Sequence, residues 1–295
     1  MRVLLTGSAG RIGRAIRLEL LRRGHAVLGL DCVAGEATDI VADLCDTAAW
    51  QQALAGVDAV VHTAALHAPQ VGQVPDAQFQ RVNVDGTLRL IDASSRHGVR
   101  HIVYTSTTAL YGASSGGPAP DQAAWLDERS LPQPATIYHR SKLAAEQCLK
   151  DASMQGGPAV TLLRMSRCFP EPAPLMAVYR LHRGVDARDV AVAHALALAQ
   201  GLHTGTEAFV ISGATPFVRA DAAELLHDAP SVLRRRTPAL CAAFAERGWP
   251  LPSRIDRVYD ASAAQAALGW VPQHGFAEVL RQGDAGSPEV LPATD

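Results

Sequence analysis

Thr6-Gly7-Ser8-Ala9-Gly10-Arg11-Ile12-Gly13 stands between the apolar run Val3-Leu4-Leu5 and an amphipathic stretch that begins at Ile12. The spacing is G-x-x-G-x-x-G. Glycines at these intervals let a strand turn sharply into a helix and leave the backbone of the turn bare. Outward from it, short apolar runs at 3–6, 25–30, 59–62, 101–105 and 160–164 predict strands. Helical patterns at 12–23, 48–55, 78–97 and 138–150 lie between them, and a further helix at 186–200 precedes a strand at 208–211.

Strands spaced by helices of this length imply βαβ units and a parallel sheet covered on both faces. The fold class expected is α/β, a Rossmann-type doubly wound parallel sheet with a small C-terminal substrate-binding region. Residues 1–165 form the expected nucleotide-binding core, and 166–282 a mixed region that returns helix and strand to it. Residues 283–295, with Gly, Pro and Asp but little apolar content, are expected to be disordered. The stretch 112–134, rich in Gly, Ser and Pro, is too long for an idle connector and predicts a loop beside the site.

The 295 residues carry a formal net charge of -2, which disfavours a nucleic-acid partner. Five cysteines without metal-ligand spacing fit free thiols and predict no metal site. Met1-Arg2 leads straight into an apolar strand, so no secretory leader is expected and the location predicted is cytoplasmic. The Ala-rich stretch 190–202 is short and interrupted by His194 and Gln200, so it reads as a buried helix and no membrane partner is expected.

Bare backbone N–H groups at a helix N-terminus suit a pyrophosphate, which marks Gly7, Gly10, Arg11, Ile12 and Gly13 as cofactor-binding candidates. Asp31 ends the second strand, 24 positions after Gly7. A carboxylate there accepts from the adenosine ribose and repels a 2′-phosphate, so the cofactor expected is NAD rather than NADP. Arg11 leaves that choice open, because a cation in the glycine loop could reach a 2′-phosphate. Asp43-Leu44 follows the third strand and suits adenine, or a helix cap.

Tyr138 and Lys142 stand four residues apart at the start of a predicted helix and share a face. A free phenol is a poor base at neutral pH, and a nearby ammonium favours its phenolate. The lysine can also hold the nicotinamide ribose.

With these pieces the chain resembles the extended short-chain dehydrogenases/reductases, the NAD-dependent epimerase/dehydratase family. The matching series runs through the glycine loop, Asp31, Asp43-Leu44, His62-Thr63-Ala64-Ala65 and Asn83-Val84-Asp85-Gly86-Thr87. It continues in Tyr104-Thr105-Ser106-Thr107-Thr108-Ala109-Leu110-Tyr111-Gly112, the Tyr138 and Lys142 pair, Tyr259-Asp260-Ala261-Ser262 and Leu268-Gly269-Trp270. The resemblance implies Thr107 as third catalytic residue beside Tyr138 and Lys142, with Ser106 as runner-up. It places Thr63, Ala64, Ala65 and Thr105 at the cofactor and gives Asn83 the task of ordering backbone near the nicotinamide. His67, Thr107, Thr108 and Arg167 become substrate-side candidates, and His62 reads as a packed strand residue. A homodimer through two long helices is likewise implied.

Departures narrow the reaction. Dehydratases of this kind carry Asp-Glu where this chain has Thr108-Ala109, and related decarboxylases have glutamate in place of Ala109. Neither residue here can shuttle a proton. Arg167 replaces an asparagine usual in nucleotide-sugar enzymes; Arg254 and Arg257 stand near the position of their diphosphate-binding arginine but not at its spacing, and Arg234, Arg235 and Arg236 could serve instead. Arg164 followed by Cys168-Phe169-Pro170-Glu171-Pro172 is similar to uronate dehydrogenases. The expected activity is NAD-dependent oxidation, reduction or epimerisation at a carbinol of a sugar, sugar acid or nucleotide sugar. Alternatives are a reductase of a non-sugar carbonyl and a non-catalytic NAD-sensing regulator, the latter disfavoured because Tyr138 and Lys142 are both present.

Overall fold

In the computed structural model, which describes residues 1–112, 121–201 and 205–290, seven strands form one parallel sheet. They are β1 (Arg2–Thr6), β2 (Ala26–Asp31), β3 (Ile40–Val41), β4 (Ala59–His62), β5 (His101–Thr107), β7 (Ala159–Met165) and β8 (Thr206–Ile211), in the order β3-β2-β1-β4-β5-β7-β8. The two strands left over, β6 (Ala124–Leu126) and β9 (Arg257–Tyr259), pair in parallel with each other. The chain reverses its direction of travel across the sheet between β1 and β4, where a doubly wound sheet opens a crevice at its C-terminal edge.

Alternation along β1 divides the core. Val3 and Leu5 point to one face, against Ile16 and Leu20 of the helix Arg11–Arg22 and Val190 of the helix Ala187–Gln200. Leu4 points to the other, with Leu90, Ala145 and Leu149 from the helices Gly86–Arg96 and Ile137–Met154. Both faces are thus dry, which is why the central strands read as unbroken apolar runs. A third core gathers Met176, Leu225, Phe244 and Val258 from the C-terminal half. Among the described residues no helix is long and apolar enough to cross a membrane, and the alanine-rich helix Ala187–Gln200 is buried as expected.

Three local expectations differ from the structure. The predicted helix at 78–97 is interrupted: Asp76–Phe79 is α-helical, Gln80–Asp85 forms a wide π-turn, and Gly86–Arg96 resumes the α-helix. The extra residue of such a turn re-aims a side chain, and here Asn83 faces inward. The loop expected over 112–134 contains β6, and its residues 113–120 lie outside the described ones. The disorder expected from residue 283 is absent over 283–290. The helix Phe276–Asp284 covers the first two positions, and Val290 is buried in the third core. Residues 291–295 lie outside the described ones.

Candidate active site

The crevice at the C-terminal ends of β1, β4, β5 and β7 is a cavity of about 1260 Å³. The candidates for catalysis, cofactor and substrate singled out above line it, except Asn83 and the cations Arg234, Arg235, Arg236 and Arg254.

At its floor Gly7 and Gly13 are sterically required. Gly7 has φ +71, and a Cβ there would stand 2.6 Å from the Ala64 backbone nitrogen. A Cβ on Gly13 would stand 2.1 Å from the Gly7 carbonyl oxygen, so only glycine lets the helix Arg11–Arg22 seat against the turn. The two loops flanking the crevice are tied together. Thr63 Oγ1 donates to the Thr6 carbonyl at 2.7 Å, and the Ala64 amide donates to Thr6 Oγ1 at 3.3 Å. Asn83 does its work from behind. Its Oδ1 accepts from the Leu66 amide at 2.8 Å, while Nδ2 donates to the Leu66 carbonyl and to Ser141 Oγ, both at 2.9 Å. His62 is buried between Thr6 and Thr87 hydroxyls and serves packing, as the sequence suggested.

On the β2 side, Asp31 accepts from the Ala9 amide at 2.9 Å and the Val33 amide at 3.0 Å. Its carboxylate is thereby fixed beside the glycine loop. Asp43 accepts from the Cys45 amide at 2.8 Å and from Arg81 at 2.5 Å. It caps no helix, since Asp46 holds the N-cap position of the next one. Arg11 points the other way. Its guanidinium pairs with Glu289 at 2.6 Å and faces the Cys168 thiol beyond β7. The sheet order puts β7 four strands away from β2, so Arg11 is turned away from the place of an adenosine 2′-phosphate.

At the reacting end, Thr107 closes β5 and Tyr138 opens the first turn of the helix Ile137–Met154. The Thr107 hydroxyl lies beside the Tyr138 phenol and accepts from the Ala109 amide at 3.0 Å. Thr136 caps the helix, accepting from the His139 amide at 3.3 Å. Burial pushes the Tyr138 phenol up to about 12, with the Thr107 hydroxyl pulling in the other direction. Lys142, one turn on, is fully enclosed. Its Nζ donates to the Thr105 carbonyl at 2.7 Å and sits 3.9 Å over the Tyr104 ring. Burial pulls its ammonium down to about 7, against the raising influence of Glu146. The expected lowering of the phenol by the lysine is not seen: burial opposes the charged form of each group, raising the phenol and lowering the ammonium.

Beneath this pair lies a buried polar network. Glu146 accepts from Ser106 at 2.6 Å and from two nitrogens of Arg164, at 3.0 and 2.8 Å. Arg164 also donates to the Tyr111 hydroxyl at 3.0 Å, which in turn donates to the Asp127 carbonyl at 2.8 Å. Ser106, the runner-up for the third catalytic position, is thus committed to Glu146, whereas Thr107 faces the phenol.

The wall beyond Tyr138 carries three guanidiniums. Arg167 is gripped by Glu171 at 2.7 and 2.8 Å, Arg183 lies 3.5 Å from Asp256, and Arg257 donates to the Gly112 carbonyl at 2.8 Å and to Asp256 at 3.1 Å. Arg183 was not visible as a site residue in the sequence, because no local spacing marks it. Of the other cations considered, Arg235 and Arg236 are taken by Asp221 and Glu224, away from the cavity. Two buried polar atoms on the lining residues, Arg11 Nε and Ser166 Oγ, find no partner among the described residues. Such orphans, with glycine backbone bared at a helix N-terminus and a carboxylate at the end of β2, fit a dinucleotide. Among the described residues no cluster of His, Cys, Asp and Glu could hold a metal ion.

Residues 3–173 match the NAD dependent epimerase/dehydratase family, and the chain belongs to that family. Among its relatives is the N-acetyl-alpha-D-glucosaminyl-diphospho-ditrans,octacis-undecaprenol 4-epimerase of Escherichia coli O157:H7. It is 35% identical over 153 residues, which are 50% of this chain and 43% of that protein. Another is the uronate dehydrogenase of Pseudomonas syringae pv. tomato, 28% identical over 178 residues, 58% of this chain and 61% of that one. The chain spans about half the length of the curated relatives it matches. A crystal structure of a short-chain dehydrogenase/reductase superfamily protein from Agrobacterium tumefaciens with bound NAD superposes with a TM-score of 0.70 at 22% identity, covering 96% of this chain and 95% of the other. That likeness is one of fold, and it extends over the C-terminal half that the family match leaves out.

Proposed function

We propose that the protein is an NAD-dependent oxidoreductase or epimerase that acts on a carbinol of an anionic sugar, either a sugar acid or a nucleotide sugar. One observation carries the reading: the Tyr138 phenol, beside Thr107 and one turn from Lys142, faces the same cavity as the glycine loop. Asp31 holds the adenosine ribose, and Gly7, Gly10 and Gly13 bare the turn for the pyrophosphate. Bound NAD supplies the hydride acceptor or donor.

Tyr138 exchanges the carbinol proton and Thr107 holds the carbinol oxygen. Because burial raises the phenol, Tyr138 carries its proton at neutral pH and is ready to protonate a carbonyl during reduction. In the oxidative direction it must first lose that proton, which a neighbouring positive charge favours. Arg167, Arg183 and Arg257 face two carboxylates, Glu171 and Asp256, so this wall keeps an excess of positive charge for an anionic substrate. Thr108 and Ala109 offer no acid or base for eliminating water or carbon dioxide, which supports carbinol chemistry without dehydration.

The test is a panel of free uronic acids and nucleotide sugars, assayed for NADH formation and for epimer interconversion. Turnover of one class, lost in Tyr138→Phe while NAD binding survives, supports the reading; equal turnover in that variant contradicts it. We also propose a homodimer, joined through the helices Gly86–Arg96 and Ile137–Met154, whose surfaces expose Leu88 and Met154. Light scattering at twice the chain mass supports it, and a monomer overturns it.

A further inference from the structure

After the helix Phe276–Asp284 the chain turns sharply and comes back to the cofactor cavity. Gly286, with φ +64, makes the turn, and its amide donates to the Gly283 carbonyl at 3.0 Å. The Ser287 amide then donates to the Gln282 carbonyl at 2.9 Å, and Val290 sinks into the third core at 4% exposure. Between these two fixed points Pro288 and Glu289 form part of the cavity wall. The Glu289 carboxylate reaches Arg11 at 2.6 Å.

Arg11 is a poor residue for its place unless anions surround it. It is the first residue of the helix Arg11–Arg22, whose first turn holds no acidic side chain. The positive end of the helix dipole disfavours a cation there. Glu289 supplies one negative charge, and Arg11 Nε remains buried without a partner among the described residues. A diphosphate at the glycine loop would supply the rest. The guanidinium then stands between two anions, the strap's carboxylate on one side and the dinucleotide's diphosphate on the other.

We infer that residues 286–290 are a strap closing the cofactor cavity, with Glu289 latched on Arg11 over the glycine loop and Val290 as its fixed end. The inference rests on the proposal that the cavity takes NAD. The strap slows escape of the dinucleotide while leaving the substrate end, at Arg167 and Arg183, open. Glu289 is half exposed, so the latch opens without disturbing the core.

The experiment is NADH release, followed by stopped-flow fluorescence after a chase with excess NAD. The proteins compared are the full chain, Glu289→Gln, and a chain ending at residue 285. Partly exposed ion pairs are weak, so Glu289→Gln is expected to speed release about three-fold. Loss of the whole strap should speed it roughly ten-fold or more, since changes within one site fall mainly on dissociation. Added salt should speed release from the full chain and have little effect on Glu289→Gln, a distinction that mere structural support would not produce. Thermal melting of Glu289→Gln confirms that it is folded. Release rates unchanged or slowed in both variants overturn the strap. Absence of NADH binding to the full chain overturns the proposed function instead.

Discussion

Arg164 holds Glu146 through two hydrogen bonds of 3.0 and 2.8 Å, at a depth where the Glu146 side chain has no exposure at all. The pair ties β7 to the helix Ile137–Met154 one turn beyond Lys142, and Ser106 joins it from β5. With Ser106 it forms the buried base that holds the helix of Tyr138 against β5 and β7.

Removing one partner strands the other charge in the interior. Arg164→Ala is expected to lower stability by about 3–5 kcal/mol, the usual cost of breaking a buried pair. Glu146→Gln keeps the shape and the bond to Ser106 but leaves Arg164 uncompensated, and is expected to destabilise in the same direction. Urea denaturation of both variants checks this. A change within about 0.5 kcal/mol, typical of surface substitutions, would show that the pair is not structural.

Asp31 is the residue proposed to set the preference for NAD over NADP. Its carboxylate is oriented by two backbone amides, and Arg11 in the glycine loop is turned toward Glu289. Asp31→Asn should weaken NAD binding by roughly ten-fold, the scale of a charged hydrogen bond, and should narrow or erase the preference over NADP. Titration of both dinucleotides against both proteins measures it. Unchanged preference would place the selectivity elsewhere.

Acid should loosen the fold through its buried histidines. Burial pulls His62 and His182 down to about 3 and His101 and His194 down to about 4. Unfolded, each takes a proton near its free value of about 6.5. Between that value and pH 3–4 the unfolded chain therefore binds more protons, and stability falls as pH falls. Each histidine contributes up to about 1.4 kcal/mol per pH unit in that window. The urea midpoint should drop between pH 7 and pH 5, and His101→Gln, which keeps a partner for Thr161, should flatten the slope. A midpoint independent of pH over that range would contradict the assignment.

Much of this is legible in the sequence. The glycine loop, the apolar strand runs and the carboxylate at 31 are short-range signals, and each depends on neighbours within one βαβ unit. The pairing of β6 with β9 was not legible, because more than a hundred residues separate the partners and neither strand has a periodic pattern of its own. The π-turn at Gln80–Asp85 was hidden for a different reason: its sequence fits a continuous helix, and only the demand to aim Asn83 at Leu66 breaks it. The tail misled through its composition, which registers low hydropathy but not the single buried Val290 or the partner that Arg11 offers to Glu289. The direction of the Tyr138 shift was not legible either, since spacing reveals the lysine four residues on but not the burial that raises the phenol.

The central claim, that this cavity is a dinucleotide site, is tested most directly by calorimetric titration of the nucleotide-free protein with NAD. The account predicts saturable binding of one NAD per chain, much weaker binding of NADP, and retention of NAD binding in Tyr138→Phe. Absence of NAD binding, or tighter binding of NADP, would contradict it.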